Sequence, residues 1–488
     1  MISKPHIDWF ALSPSLSMLA AAGLLMLVAV FWPKSSRRAA SAIVGGAGFA
    51  AGLVFAILVD DKSPHGAAII ADSLYRDRWA ATAQVIIAAC GLLAVFVAYR
   101  ERMREENIAE YFVLLAAAGA GMAFFVQAAS LVTLFLGLEW FSIALYVLCA
   151  IDIDLVGSLE AGLKYLVVGA VGSATLLFGS ALVYGATGEL SFDKIATAGV
   201  ADNSLLVLGL AMMLAGFAFK ASAAPFHMWT PDAYQGAPTP VTTFMSSATK
   251  VAALVVMERV LVTAFPREAH LWTWAVVGIA ILSLAVGNIA ALAQKNVKRL
   301  LAYSSISHAG FMLIAIGTGT EVGARALMYY LIPYAAMSIG AFAVIAARER
   351  ELGVPVTLEN LSGFGWERPF FGVSMWVFML GFLGFPLTGG FWGKIYVFYA
   401  AYGRGWWWLI VIGVAFTVVS AAYYLAVVRS MFLRDSAELR LAPAGGSPPR
   451  ELVLGTGVAA AVVVTIGSFF FVQPLIDVAA AAARSLPF

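Results

Sequence analysis

Stretches of about twenty apolar residues recur along the entire chain, and each is long enough to cross a hydrocarbon core of about 30 Å as a helix. They fall near 15–32, 40–59, 79–99, 109–126, 128–150, 162–185, 203–235, 239–263, 272–292, 300–317, 325–347, 370–401, 405–429 and 452–474, about fourteen spans. No other feature constrains the fold as much, because backbone in lipid must satisfy its own hydrogen bonds. Hydrophobic residues make up 62% of the 488 and charged residues 12%. Soluble domains run at about 45–50% and about 25%, so the remainder cannot build a water-exposed surface. The fold class read from this is an all-α polytopic membrane protein. With 30 basic against 28 acidic residues, a nucleic-acid partner held by bulk charge is excluded. Cys90 and Cys149 stand far apart inside apolar runs without CxxC spacing, and read as packing residues, not disulfide or metal ligands. The first span lacks a small-residue cleavage site and is expected to be a retained helix.

Basic residues alternate by loop. The odd-numbered loops hold Lys34, Arg37, Arg38, Arg100, Arg102, Arg104, Lys295, Lys298, Arg299, Arg348, Arg350, Arg368, Arg429, Arg434, Arg440 and Arg450. The even loops and both tails together hold half as many: Lys4, Lys62, Arg76, Arg78, Lys194, Arg267, Arg404 and Arg484. The excess of positive charge marks the cytoplasmic side, so both termini are expected outside. The longest loops are about 20 residues, too short for a soluble domain. Any electron-transfer cofactor is therefore expected in a partner.

Spans four to eight and nine to thirteen form two blocks of similar length. A unit with an odd number of helices reverses direction when repeated in tandem, so the blocks are expected to be inverted repeats. The fourth helix of each is overlong and broken, by Pro225 in the first and by Pro386, Gly389 and Gly390 in the second. A break frees backbone groups that only protein or water can satisfy, which points to an internal hydrated site; simple kinking of packed helices is the plainer reading. The expected division is 1–105 for a three-helix segment, 106–264 and 265–430 for the repeats, and 431–488 for a loop and a last helix.

Four ionisable side chains lie well inside spans: Glu139, Lys220, Lys250 and Lys394. A charge at a helix centre costs about 2.5–3.5 kcal/mol on insertion scales. Ion pairs that only lock helices together would need matched signs, and here three lysines face one glutamate. Desolvation disfavours a charged lysine and a nearby carboxylate favours it. Moving Glu139 relative to Lys220 would therefore capture or eject a proton, with Lys250 and Lys394 continuing the chain. His308 lies in the tenth span among Tyr303, Ser304, Ser305 and Ser307, and reads equally as a relay or a satisfied core histidine. His227 adjoins the Pro225 break and reads as a backbone cap or a channel residue. His6, His65 and His270 are expected to be solvated. Arg259 and Lys164, near span ends, are expected to snorkel as anchors, with Glu160 pairing to Lys164 at i,i+4.

The stretch PFHMWTPDAYQGAPTPVT, Pro225–Thr242, resembles the loop after the broken seventh helix in antiporter-like subunits of proton-pumping NADH:quinone oxidoreductase, respiratory complex I. HMWTPDAYQGAPTPV, AQKNVKRLLAYSSISHAGFML (Ala293–Leu313) and GFPLTGGFWGKIYVF are similar to the subunit N branch, over about residues 105–430. Lysine at 394 argues against the subunit M branch, and a long lateral helix of the subunit L kind is not expected. The resemblance implies that Glu139, Lys220, Lys250 and Lys394 are the helix-5, helix-7, helix-8 and helix-12 residues of a proton path, and that His308 matches a family histidine. It also implies a multi-pass protein of the bacterial inner membrane, both termini periplasmic, touching lipid and the neighbouring antiporter-like and small membrane subunits. No cofactor is expected in this chain; NADH, FMN, iron–sulfur clusters and quinone belong to partner subunits. The rival readings are a subunit of a multisubunit sodium/proton antiporter and a structural scaffold.

Overall fold

The computed structural model describes residues 7–63, 66–101, 103–200, 202–433 and 451–488. His6 and His65, and Lys4, Arg102, Arg434, Arg440 and Arg450 of the charge pattern, lie outside the described residues. The chain runs through α1 (Trp9–Phe31), α2 (Lys34–Asp61), a hairpin of β1 (Ala67–Ile69) and β2 (Leu74–Arg76), α3 (Arg78–Ala98), α4 (Asn107–Phe125), α5 (Leu131–Cys149), α6 (Val156–Thr187) and the short α7 (Phe192–Thr197). There follow α8 (Asn203–Lys220), α9 (Trp229–Gly236), α10 (Thr239–Ala264), α11 (Ala269–Leu292), α12 (Val297–Gly317) and α13 (Glu321–Leu352). The last elements are α14 (Phe364–Glu367), α15 (Pro369–Leu383), α16 (Gly389–Gly403), α17 (Trp407–Leu433), α18 (Leu452–Phe470) and α19 (Val472–Ala483).

Among the described residues, 12 helices are long and apolar enough to cross a membrane. Two further crossings complete the fourteen. One is α10, whose Thr, Ser, Lys, Glu and Arg residues lower its hydropathy. The other is the broken pair α15 and α16. The β-hairpin and α19, which packs on α3 and α13, were not expected from the sequence.

The two five-helix blocks share local devices. Ser130 caps α5 and bridges to Ser191 in antiparallel register, while Asn296 caps α12 and bridges to Thr357 in the same way. Leu131 N–H donates to Leu190 O and Phe192 N–H to Ala129 O. Val297 N–H to Val356 O and Leu358 N–H to Lys295 O repeat that pair in the second block. Gly188 ends α6 and Gly353 ends α13, both in the left-handed conformation that glycine adopts without a Cβ clash. The repeats meet where α10 packs against α13. All 26 residues of α10 are buried, so this helix is enclosed by protein on every side.

Candidate functional site

Both broken helices stop where the sequence placed the interruption. The seventh span ends at Lys220 and resumes as α9, and the twelfth ends at Leu383 and resumes as α16. Each gap holds a non-glycine residue in the left-handed region, Ser222 at φ 57° and Leu387 at φ 75°, a local strain that surrounding structure must hold in place.

The groups freed by the breaks are taken up by buried lysines. Lys250, fully buried on α10, donates from Nζ to the carbonyl of Ala221 at 2.5 Å. Lys394, buried on α16, donates to the carbonyl of Leu383 at 2.8 Å and stands 3.4 Å from Thr417 Oγ1. The same device thus occurs in both repeats: a helix opens, and an ammonium covers the exposed carbonyl dipole. The first gap is further closed by Trp229 Nε1 donating to Phe219 O at 3.1 Å and Ala224 N–H donating to Ser283 Oγ at 2.9 Å.

Lys220 sits at the last position of α8, adjoining the carbonyl that Lys250 holds. Its Nζ donates to Ser142 Oγ at 2.7 Å and Tyr165 OH at 3.1 Å, and lies 4.5 Å from the Phe141 ring centroid, a cation–π contact. Glu139 lies one turn from Ser142 on α5 and within electrostatic range of Lys220. No ion pair joins the two among the described residues, and Glu139 Oε1 is buried without a hydrogen-bond partner. A hydroxyl therefore occupies the lysine while the carboxylate waits nearby.

His308, on α12, is enclosed by hydroxyls. Nδ1 lies 2.9 Å from Tyr330 OH and Nε2 3.0 Å from Tyr424 OH, and Tyr424 OH reaches Ser304 Oγ at 2.5 Å. One turn along, Ser305 bonds Tyr334 OH at 2.8 Å, and Tyr334 donates to Ser246 O on α10, one turn before Lys250. On the other side the histidine packs on Phe382, next to the Leu383 carbonyl. Phe311, one turn from His308, carries the ammonium of Lys394 over its ring at 4.7 Å. The structure thus brings Lys220, Lys250, His308 and Lys394, all buried, and the half-buried Glu139 into one belt across both repeats. His227 lies within the first gap, with Nδ1 buried.

Toward the odd-loop side, the belt ends at a cavity of about 590 Å³ lined by Glu101, Asp154, Thr239, Lys298, Glu349 and Arg350 among others. Lys298 donates to Ala237 O at 3.0 Å and Thr239 Oγ1 at 3.1 Å, and lies 3.6 Å from Glu349. From there Thr239, Thr242, Thr243, Ser246 and Ser247 form a buried run of hydroxyls leading to Lys250.

One assignment is corrected. Arg259 does not snorkel: it is 1% exposed and binds Asp77 with both terminal nitrogens, at 2.6 and 2.8 Å. α10 continues five residues beyond it, so the side chain cannot reach water and pairs with the capping carboxylate of α3 instead. Lys164 does lie exposed, 2.6 Å from Glu160 and 2.9 Å from Asp232. Sequence reasoning also missed the partners Ser142, Tyr165, Tyr330 and Tyr424, and it passed over Glu258, buried on α10. The signal for Glu258 was its position beside Arg259 inside an apolar run.

Among the described residues, no cluster of His, Cys, Asp and Glu could hold a metal ion. Paired broken helices with lysines on their freed carbonyls define an antiporter-like membrane subunit, and residues 128–420 match the family described as NADH:quinone oxidoreductase/Mrp antiporter, TM. NADH-quinone oxidoreductase subunit N of Trichlorobacter lovleyi is 41% identical over 432 residues, covering 87% of each chain. A chain of respiratory complex I from Thermus thermophilus with bound aureothin superposes with a TM-score of 0.79 at 33% identity, over 95% of this chain and 98% of that one. A chain of the Mrp complex from Dietzia sp. DQ12-45-1b shares the fold, with a TM-score of 0.85 at 21% identity over 98% and 97%. The chain belongs to the NADH-quinone oxidoreductase subunit N family.

Proposed function

We propose that this chain carries protons across the membrane for an NADH:quinone oxidoreductase, through Glu139, Lys220, Lys250, His308 and Lys394. Glu139 acts as the switch, and its approach to or retreat from Lys220 changes that lysine's hold on a proton. Lys250 relays, His308 and its tyrosines bridge the repeats, and Lys394 passes the proton onward. The observation that carries the reading is the pairing of each helix break with a buried lysine. An ammonium that leaves its carbonyl uncovers a polar group in a dry interior, so protonation and helix geometry are coupled. A charge crossing the membrane costs about 2.3 kcal/mol per 100 mV, which makes such gating necessary.

On this reading, electron transfer from NADH through FMN and iron–sulfur clusters to quinone takes place in partner subunits and drives the switch through neighbouring antiporter-like and small membrane subunits. The basic-loop bias supports placement in a bacterial inner membrane with both termini periplasmic. The repeats would occupy 106–264 and 265–430. Lys220→Met or Glu139→Gln is expected to leave the complex assembled while coupled pumping and quinone reduction fall by about tenfold or more. Full pumping in a normally assembled variant refutes the assigned roles. Copurification separates an antiporter, which would travel without NADH- and quinone-binding subunits; a scaffold would keep pumping in both variants.

A further inference from the structure

Glu258 stands on α10 beyond Lys250, toward the Ala264 end and away from the charged cavity. It is fully buried, and neither carboxylate oxygen has a hydrogen-bond partner among the described residues. Its chain neighbour Arg259 is committed to Asp77, and Lys250 is committed to the Ala221 carbonyl. An unpaired buried carboxyl is costly, so its presence calls for a use that needs a group able to bind and release a proton.

Its position supplies that use. α10 starts at the cavity, carries the hydroxyl run and Lys250, and reaches Glu258 eight residues later, about 12 Å along the axis at about 1.5 Å per residue. Beyond it, less than two turns of helix remain. α3 runs antiparallel alongside, with Asp77 on Arg259 and Trp79 Nε1 on Val255 O at 3.0 Å. Deeper on α3, Gln84 is buried with Oε1 unpartnered, while its Nε2 is given to Ala123 O at 2.8 Å. Two buried side chains with three unsatisfied oxygens between them therefore occur on the packed pair α3 and α10, toward the Ala264 end.

We propose that Glu258 is the outward proton-binding station of this chain. Lys250 releases a proton and becomes a neutral amine; water carries the proton, and the Glu258 carboxylate binds it as a carboxyl group. The carboxyl then releases the same proton to water at the Ala264 end. One lysine N–H bond breaks and one carboxyl O–H bond forms and later breaks, with no change in electron count. This rests on the proton path proposed above, and it gives that path an exit within α10, separate from Lys394.

The test uses the whole complex in sealed membrane vesicles, with Glu258→Gln, Glu258→Asp and Lys250→Met measured side by side. Glu258→Gln keeps the shape of the side chain. It is expected to assemble, to keep electron transfer from NADH to a soluble artificial acceptor, and to lose about tenfold of its coupled pumping rate. Glu258→Asp is expected to keep pumping with a displaced pH profile, a change that mere packing would not produce. Full pumping by Glu258→Gln overturns the station; if that variant fails to assemble, an unchanged pH profile in Glu258→Asp overturns it. Loss of pumping in Lys250→Met beside full pumping in Glu258→Gln removes this inference alone. Full pumping in both removes the underlying path.

Discussion

At the scale of single residues, the energetics turn on whether a buried charge has a partner. Asp77 serves twice, capping α3 through Ala80 N–H at 2.8 Å and holding Arg259. Removing one member of such a pair leaves the other charged and desolvated, at a cost of about 3–5 kcal/mol. Arg259→Met is therefore expected to lower the unfolding temperature of the complex markedly, and Asp77→Asn combined with Arg259→Met to recover part of the loss, because asparagine still caps and no lone charge remains. Asp232 is a milder case on α9, at the odd-loop face, where it meets the exposed Lys164. Burial alone would raise its affinity for a proton, but hydrogen bonds from Arg299 and Lys164 outweigh this and hold the carboxyl below its ordinary value of 3.8. A depressed carboxyl contributes stability that is present above the ordinary value and lost as pH falls through the lowered one. The partly exposed contact is worth about 0.5–1 kcal/mol, so thermal melts of wild type and Asp232→Asn should differ near neutrality and converge at acid pH.

At the scale of elements, the breaks are the working parts of the proposed path, and glycine makes the close approach at the second one possible. A Cβ on Gly390 would collide with the backbone carbonyl of Gly381 across the gap between α15 and α16. Gly390→Ala should push the half-helices apart at a cost of about 1–3 kcal/mol and carry Lys394 away from Leu383. Pumping is expected to fall while assembly persists; Gly403→Ala, which meets nothing within 4 Å, should leave pumping unchanged. The breaks were legible in the sequence because Pro and Gly inside a long apolar run have few other uses. Glu139, Lys220, Lys250 and Lys394 were legible because a charge stands out against such a background. Tyr165, Tyr330 and Tyr424 were not, since a tyrosine in a span carries no mark of its partner until helices distant in sequence meet. Arg259 misled because closeness to a span end imitates the reach of a snorkelling chain. The hairpin at 67–76 and α19 escaped because neither has the length of a membrane span.

At the scale of the whole molecule, the repeats are tied to the flanking helices by charge at one membrane face. Arg350, at the end of α13, binds Glu101 at 2.8 Å and Glu451 at 2.7 Å, joining the second repeat to the segment before α4 and to the start of α18. Arg348 joins Glu367 at 2.9 Å in the same layer. Arg350→Met would strand two carboxylates and is expected to cost about 3 kcal/mol, seen as faster proteolysis at the 99–106 segment and a lower unfolding midpoint. The belt of lysines lies inside this frame, so its movements need not disturb the outer wall.

The seclusion of α10 bears on how the chain is made. A segment this rich in hydroxyls and charges gains little by entering lipid alone, as its polar side chains have no neighbours there to meet. It must be threaded into the bilayer in company, with earlier-synthesised helices already waiting and α11 following close behind. The seclusion that closes α10 off from lipid in the finished subunit thus fixes an order of construction, in which the centre is sealed only when the second repeat arrives.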